Sequence, residues 1–240
     1  MYQQINPENI LFIDIETVPF YPDYATVPEI WKALWNKKAD TLKRNEQETP
    51  ESLYGRAGIY AEFGKIICIS VGFLSWTDGV QHLRMKSFAG DDEKLLLTDF
   101  GNLLRKHYSR PEHRLCGHNI KEFDIPFIAR RMIINTVPLP SMLDIAGKKP
   151  WEIPHLDTME LWKFGDYKSY TSLVLLATSL GIPTPKDDID GSMVAQVYYE
   201  EKNLPRIVTY CQKDVFTVAQ VLRRFRGEPL LSTESVTTTG

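Results

Sequence analysis

Ile10-Leu11-Phe12-Ile13-Asp14-Ile15-Glu16-Thr17 is an apolar run that carries two acids. It reads as a buried strand. Side chains alternate along a strand, so Leu11, Ile13 and Ile15 share one face and Ile10, Phe12, Asp14 and Glu16 share the other. A strand apolar on both faces belongs in the middle of a covered sheet. Two carboxylates at alternate positions then sit about 7 Å apart on one face. Ionised and unpaired, they would be very costly there. Two arrangements relieve that cost. A divalent cation sits between the acids, or both acids lie just past the strand's end and cap or solvate the following loop.

The rest of the chain sets the context. Its 240 residues are 43% hydrophobic and 25% charged, which suits one globular domain with an insertion. We expect that domain over residues 1–230. A net charge of −3 excludes a global basic field for duplex binding. Cys68, Cys116 and Cys211 are odd in number and widely spaced, which excludes a disulfide framework and a zinc knuckle. No apolar run approaches ~18 residues, and no basic stretch precedes an apolar core at the N-terminus. These features predict a soluble cytoplasmic protein in a reducing compartment, with no membrane partner.

Prolines 19, 22 and 28 end the first strand, and Ile30, Trp31, Leu34 and Trp35 recur at helical spacing. Residues 20–60 therefore read as a mostly helical insertion. Residues 66–75 and 80–88 read as two strands joined by Asp78-Gly79, a hairpin signal. A helix from Asp91/Asp92, a short strand at 114–118, and a helix at 124–134 with Pro126 in its first turn follow. After a short strand at 155–157 come helices near 169–180, 193–200 and 203–226. The small, polar segment 231–240 is expected to be disordered. The order gives an α/β fold with a mixed sheet.

Two further acids do not fit a plain core. On a wheel of about 100° per residue, Tyr210, Ile207, Cys211, Val215, Val218 and Val221 form the inward stripe of the last helix. Asp214 falls inside that stripe, while Lys213, Thr217, Gln220 and Arg224 fall on the far side. A metal, or satisfaction by hydrogen bonds or an arginine, would account for Asp214. Asp124 stands where a loop becomes a helix, a place for an N-cap; a helix N-terminus also favours the ionised carboxylate that a metal needs. Oxygen ligands suit Mg²⁺ or Mn²⁺, and four acids can hold two such ions about 4 Å apart.

At this point the residues resemble a known family. Phe12-Ile13-Asp14-Ile15-Glu16-Thr17 looks like the first motif of the DEDD superfamily of 3′→5′ exonucleases. The run from Asn119 through Asp124 to Phe127 resembles the second, in the form of B-family DNA polymerase proofreading domains. Tyr210-Cys211-Gln212-Lys213-Asp214 matches the third motif, Tyr-x-x-x-Asp, of the tyrosine subclass. The motifs stand in the family's order, and the resemblance spans about residues 8–226. The chain looks most like the stand-alone relatives of the proofreading domain, with no polymerase domain of its own.

The resemblance implies an RNase H-like fold: a five-stranded mixed sheet of order 3-2-1-4-5, flanked by helices, with the acidic strand central. It implies hydrolysis at the 3′ ends of DNA, single-stranded or frayed, releasing nucleoside 5′-monophosphates. An exoribonuclease and a non-catalytic nucleic-acid-binding module are the alternatives. Asp14, Glu16, Asp124 and Asp214 would hold two divalent ions, Mg²⁺ or Mn²⁺, and Tyr210 would orient the attacking water. Thr17 would grip the terminal 3′-hydroxyl through its backbone. Phe20 is the candidate wedge against the terminal bases, and Asn119 and Phe123 are candidates for contact with the terminal nucleotide, Phe123 being equally readable as core.

Weaker candidates have plainer explanations. His118 reads as a hydrogen-bonded loop histidine, and Asp157 as the start of a capping box with Glu160. Lys121, Arg130, Arg131, Lys148, Lys149 and Lys186 read as surface charges, some of them near backbone phosphates. Trp31 and Trp35 read as packing residues of the insertion.

Overall fold

The acidic stretch lies in β1 (Ile10–Pro19), the strand with covered faces on both sides. The computed structural model describes residues 4–166, 170–183 and 189–239. After β1 come α1 (Glu29–Leu42), β2 (Gly64–Thr77), β3 (Val80–Ala89), α2 (Glu93–His107), β4 (Arg114–Gly117) and α3 (Asp124–Ile134). Then follow β5 (Leu156–Asp157), α4 (Thr158–Lys163), α5 (Leu173–Ser179), α6 (Val194–Tyr199), α7 (Leu204–Phe225) and β6 (Val236–Thr239).

The sheet order is β5-β4-β1-β2-β3-β6. β1, β2 and β3 form an antiparallel meander, and β4 and β5 add in parallel on the other side of β1. This is the RNase H-like order expected from the sequence, with one strand more. Asp78 (φ 52°) and Gly79 (φ 75°) both adopt the left-handed region and close the β2–β3 hairpin. That pair of positive φ angles matches the twist of the flanking strands.

β1 is covered on both faces, as its pattern requires. Leu11, Ile13 and Ile15 pack with Leu97 and Phe100 of α2 and with Ile125 and Ile128 of α3. Ile10 and Phe12 pack with Val215, Val218, Ala219 and Leu222 of α7. Further along that second face stand Asp14 and Glu16, and then Val18, which joins Ile207 and Cys211. The two acids are thus a polar gap in an otherwise apolar layer between β1 and α7. Just past them the β1–β2 register shifts: Glu16 faces Cys68 but Thr17 faces Ile66, so Ile67 is the extra residue of a bulge.

Two glycines allow the close approaches behind the site. A Cβ on Gly72 would lie 2.9 Å from Val215 Cγ1, so this glycine lets α7 lie against the sheet. A Cβ on Gly117 would lie 2.7 Å from the Ile13 carbonyl oxygen and run into Ile120. Gly117 therefore lets the chain leave β4 tightly against β1 on its way to Asp124.

The insertion contains one regular helix, α1, and a small core of its own. Trp35 is fully buried there with Tyr54, Leu53, Ala39 and Val27, and its indole N–H donates to the Pro50 carbonyl at 2.7 Å.

The segment expected to be disordered is ordered in part. A helical turn at Thr233–Ser235 leads into β6, which pairs in parallel with the free edge of β3. Val236 and the following threonines are β-branched and fit a pleated edge. Gln220 anchors the segment: its amide donates to the Leu231 carbonyl at 2.8 Å and accepts the Leu231 N–H at 2.9 Å. The same segment corrects the wheel of α7. Gln220, expected on the outer side, is buried at 2% exposure under the returning chain, and Thr217, expected there too but about 20° from Tyr210 on the wheel, is buried at 6% beside the inward stripe.

Candidate active site

Asp14 and Glu16 project from β1 into the gap below α7. Glu16 is buried, and the Asp14 Oδ2 atom is shielded from solvent with no hydrogen-bond partner. Burial pushes both carboxyls well above the usual carboxylate range. The charges of Asp214 and Asp124 push both further, and Glu16 adds to the effect on Asp14. The four acids named from the sequence therefore share one electrostatic neighbourhood, although Asp124 and Asp214 come from helices on opposite faces of the sheet.

α7 brings Asp214 and Tyr210 there. Both are partly buried, one turn apart on the helix, and Tyr210 packs on the cluster of Val18, Cys68 and Ile207. Asn203 caps the helix by accepting the Arg206 N–H, and Pro205 lies in the first turn, where no N–H is needed.

Asp124 begins α3 at 3% exposure. Burial raises its carboxyl to about 8, against hydrogen bonds from its own amide and that of Ile15. The Ile15 contact docks this acid on the edge of β1 that β4 leaves free, since β4 pairs only with residues 10–12.

The loop before Asp124 is held by Asp157. Its carboxylate accepts the backbone N–H groups of Asn119 (2.9 Å) and Lys121 (3.1 Å), and also those of Met159 (3.0 Å) and Glu160 (3.3 Å) at the start of α4. The capping role expected for Asp157 is present, joined to a second task. Asn119, with φ 65°, holds a left-handed conformation, and its buried Oδ1 lacks a hydrogen-bond partner. His118 bonds Thr158 Oγ1 at 2.9 Å and the Thr171 carbonyl at 2.8 Å, the loop role expected of it.

These residues fit a hard divalent cation. The donor set is carboxylate oxygen, and the orphaned Asp14 Oδ2 is a buried acceptor that a cation would satisfy. Cys211 stands close by: its sulfur and one oxygen each of Asp14 and Glu16 lie within 4.8 Å of one another. Burial pushes the Cys211 thiol up, so it remains S–H, and it donates to the Asp14 carbonyl at 3.4 Å. Cys211 and its neighbour Cys68 went unassigned in the sequence because they read only as core positions.

The remaining candidates are placed as follows. Thr17 is partly buried in β1, opposite Ile66. Phe20 is 48% exposed just after the strand. Phe123 is partly buried and tilted against Phe127, with ring centroids 5.5 Å apart, so it belongs in part to the core. Arg131 is not a surface charge. It is 3% exposed and forks onto Glu93, with Nε 2.9 Å from Oε1 and the terminal nitrogen 2.5 Å from Oε2. Lys121 pairs with Glu160 at 2.6 Å. Lys186 lies outside the described residues.

A family model described as a predicted 3′-5′ exonuclease related to the exonuclease domain of PolB matches residues 59–228. The match takes in Asp124, Tyr210 and Asp214 and begins after β1, so it does not cover Asp14 and Glu16. Curated proteins give no match. Among solved structures, the chain is similar to the RNase domain of the yeast Pop2 protein, at 14% identity and a TM-score of 0.39, covering 88% of this chain and 78% of that one. Because the family model spans well over half of the sequence, the chain belongs to the predicted 3′-5′ exonucleases related to the exonuclease domain of PolB.

Proposed function

We propose that this protein removes nucleoside 5′-monophosphates one at a time from the 3′ ends of DNA, on single-stranded or frayed termini. The observation that carries the reading is the shielded, unpartnered Asp14 Oδ2 in a gap where the charges of Glu16, Asp124 and Asp214 meet. The family's stated relation to a polymerase exonuclease favours DNA. Three free, buried cysteines agree with a reducing compartment, and no helix among the described residues is long and apolar enough to cross a membrane.

In this reading Asp14, Glu16, Asp124 and Asp214 hold two divalent ions, Mg²⁺ or Mn²⁺. When bound, the ions supply activation of water and neutralisation of charge at the phosphodiester. Tyr210 donates to and orients the attacking water from its place one turn before Asp214. The Thr17 backbone receives the terminal 3′-hydroxyl. Asn119 Oδ1 accepts a hydrogen bond from the terminal nucleotide, the exposed edge of Phe123 flanks its base, and the Phe20 ring wedges against the bases that follow on the 5′ side.

The test is digestion of 3′ ends by wild type and Asp14→Ala, with Mg²⁺ or Mn²⁺, on single-stranded DNA, mismatched duplex and RNA. Shortening of single-stranded DNA by wild type alone is expected. Faster digestion of RNA than DNA assigns the ribose-containing substrate instead. No shortening of any strand, or equal rates for Asp14→Ala, rejects catalysis and leaves a binding module.

A further inference from the structure

Between the insertion, the exit of β1 and α3 lies a cavity of about 450 Å³. That size is within the range of about 300–1,000 Å³ typical of small-ligand sites. Its wall carries five aromatic rings, Phe20, Tyr21, Trp31, Tyr54 and Phe63, and two charged groups, Glu62 and Arg131. Phe20 and Trp31 leave 48% and 39% of their surface exposed, a large apolar area to present to water. Apart from Phe20, none of the cavity's lining residues has a role in the site described above.

Its chemistry narrows the occupant. Arg131 is already matched by Glu93, and its guanidinium lies 5.8 Å from the Phe20 ring centroid as a fixed, flat wall. The other charge is an acid, so a phosphate would meet repulsion there. A neutral flat ring with a polar edge fits: aromatic faces stack with it, and Glu62 can accept from an exocyclic amino group.

Its position completes the case. Phe20 follows Glu16 along the chain by about 13 Å at strand spacing. Arg131 follows Asp124 along α3 by about 10 Å. These distances equal about three or four nucleotides of a stacked strand, and fewer where the strand is extended. A strand whose 3′ end lies at the four acids therefore reaches the cavity with bases near its terminus.

We propose that this cavity is a nucleobase-stacking subsite for the single-stranded DNA substrate, receiving bases on the 5′ side of the scissile bond. The inference rests on the exonuclease reading above and adds a subsite built by the insertion.

The experiment is abasic scanning. Single-stranded DNA carries one abasic residue at successive positions from the 3′ end and is digested by wild type, Trp31→Ala and Trp31→Phe. With wild type, KM rises about 10-fold for an abasic residue about two to four nucleotides from the end, and stays flat elsewhere. Trp31→Ala raises KM for the intact strand by a similar factor and erases the position effect, while Trp31→Phe restores both. A dinucleotide is too short to reach the cavity and is cut alike by all three proteins. A flat abasic scan with normal wild-type digestion overturns the subsite and leaves the exonuclease standing. If wild type cuts neither strand nor dinucleotide, the exonuclease reading has failed, and binding decides the cavity. Quenching of the Trp31 fluorescence, taken as wild type minus Trp31→Phe, by a deoxyadenosine oligomer upholds it. A Trp31 signal that answers an apolar peptide and not the oligomer assigns the cavity to a protein partner and overturns it.

Discussion

Asp157 Oδ1 accepts the backbone N–H of Asn119 at 2.9 Å, and so ties the end of β5 to the loop that delivers Asp124. Replacing Asp157 by alanine leaves four amide groups, those of Asn119, Lys121, Met159 and Glu160, without their acceptor. The expected cost is about 3 kcal/mol, a Tm lower by about 6–12 °C in calorimetry. Among the molecules that remain folded, kcat falls by about 10–100-fold because Asp124 loses its fixed position. Asp157→Asn keeps one acceptor oxygen and should lie between alanine and wild type in both measurements.

Metal-free stability should fall as pH rises from about 6.5 to 8. The Asp124 carboxyl stands at about 8 in the folded chain, above its ordinary value of 3.8. Between those values the folded chain holds a proton that the unfolded chain has lost, so each step up in pH favours unfolding. Asp14 and Glu16 are shifted in the same direction and add to the slope. Below about 6.5 the slope is opposed by His155, whose burial pulls it down to about 4. Thermal melts in chelator across the upper window measure this, and Mg²⁺ should flatten the decline by taking the place of the protons.

Asp14→Asn should make the metal-free protein more stable while removing its activity. It removes the cost of burying and protonating one carboxyl in a crowded acidic cluster, worth about 1–2 kcal/mol and a Tm rise of about 2–8 °C near pH 8. The same change removes a proposed metal ligand, with a loss of activity on the order of 1,000-fold. Melting curves and the 3′-end assay on one preparation read both effects. A fall in Tm would show that Asp14 has a stabilising partner after all.

Asn119→Gly separates the backbone role of this residue from its side-chain role. Glycine adopts φ 65° without strain, so stability should change by less than about 1 kcal/mol. The unpartnered Oδ1 is lost, and KM for single-stranded DNA should rise about 10-fold, the value of one buried hydrogen bond. Unchanged KM would remove Asn119 from the substrate contacts.

Deleting residues 232–240 should destabilise the protein without slowing its chemistry. β6 is three strands away from β1 in the sheet, about 14 Å at the usual strand spacing. Its loss bares the edge of β3, so lower Tm and concentration-dependent aggregation are expected by light scattering. The kcat of the soluble fraction should stay within about 2-fold of wild type, as a change far from the reacting groups implies.

The parts of this fold that the sequence makes legible are those written in local periods. The two faces of β1, the Asp78-Gly79 hairpin and Asp214 within the stripe of α7 each follow from residues a few positions apart. Arg131 reads as a surface charge because its partner Glu93 is on another helix and leaves no periodic trace. β6 reads as disorder because its small polar residues gain order only from the edge of β3 and the anchor at Gln220. Gln220 looks exposed until the returning chain covers it. The aromatic cavity is likewise invisible in sequence, since α3 and the insertion meet only in space.

The extra residue at Ile67 marks a seam in β1. Before it, Asp14 and Glu16 are registered against Ser70 and Cys68; after it, Thr17 to Pro19 follow a separate register against residues 64–66. The acids and the residues leading into the insertion therefore belong to separate registers. The segment after Phe20 is thus a natural graft point, where a loop of another length or chemistry can be exchanged to change which strand is admitted while the hydrolytic centre keeps its geometry.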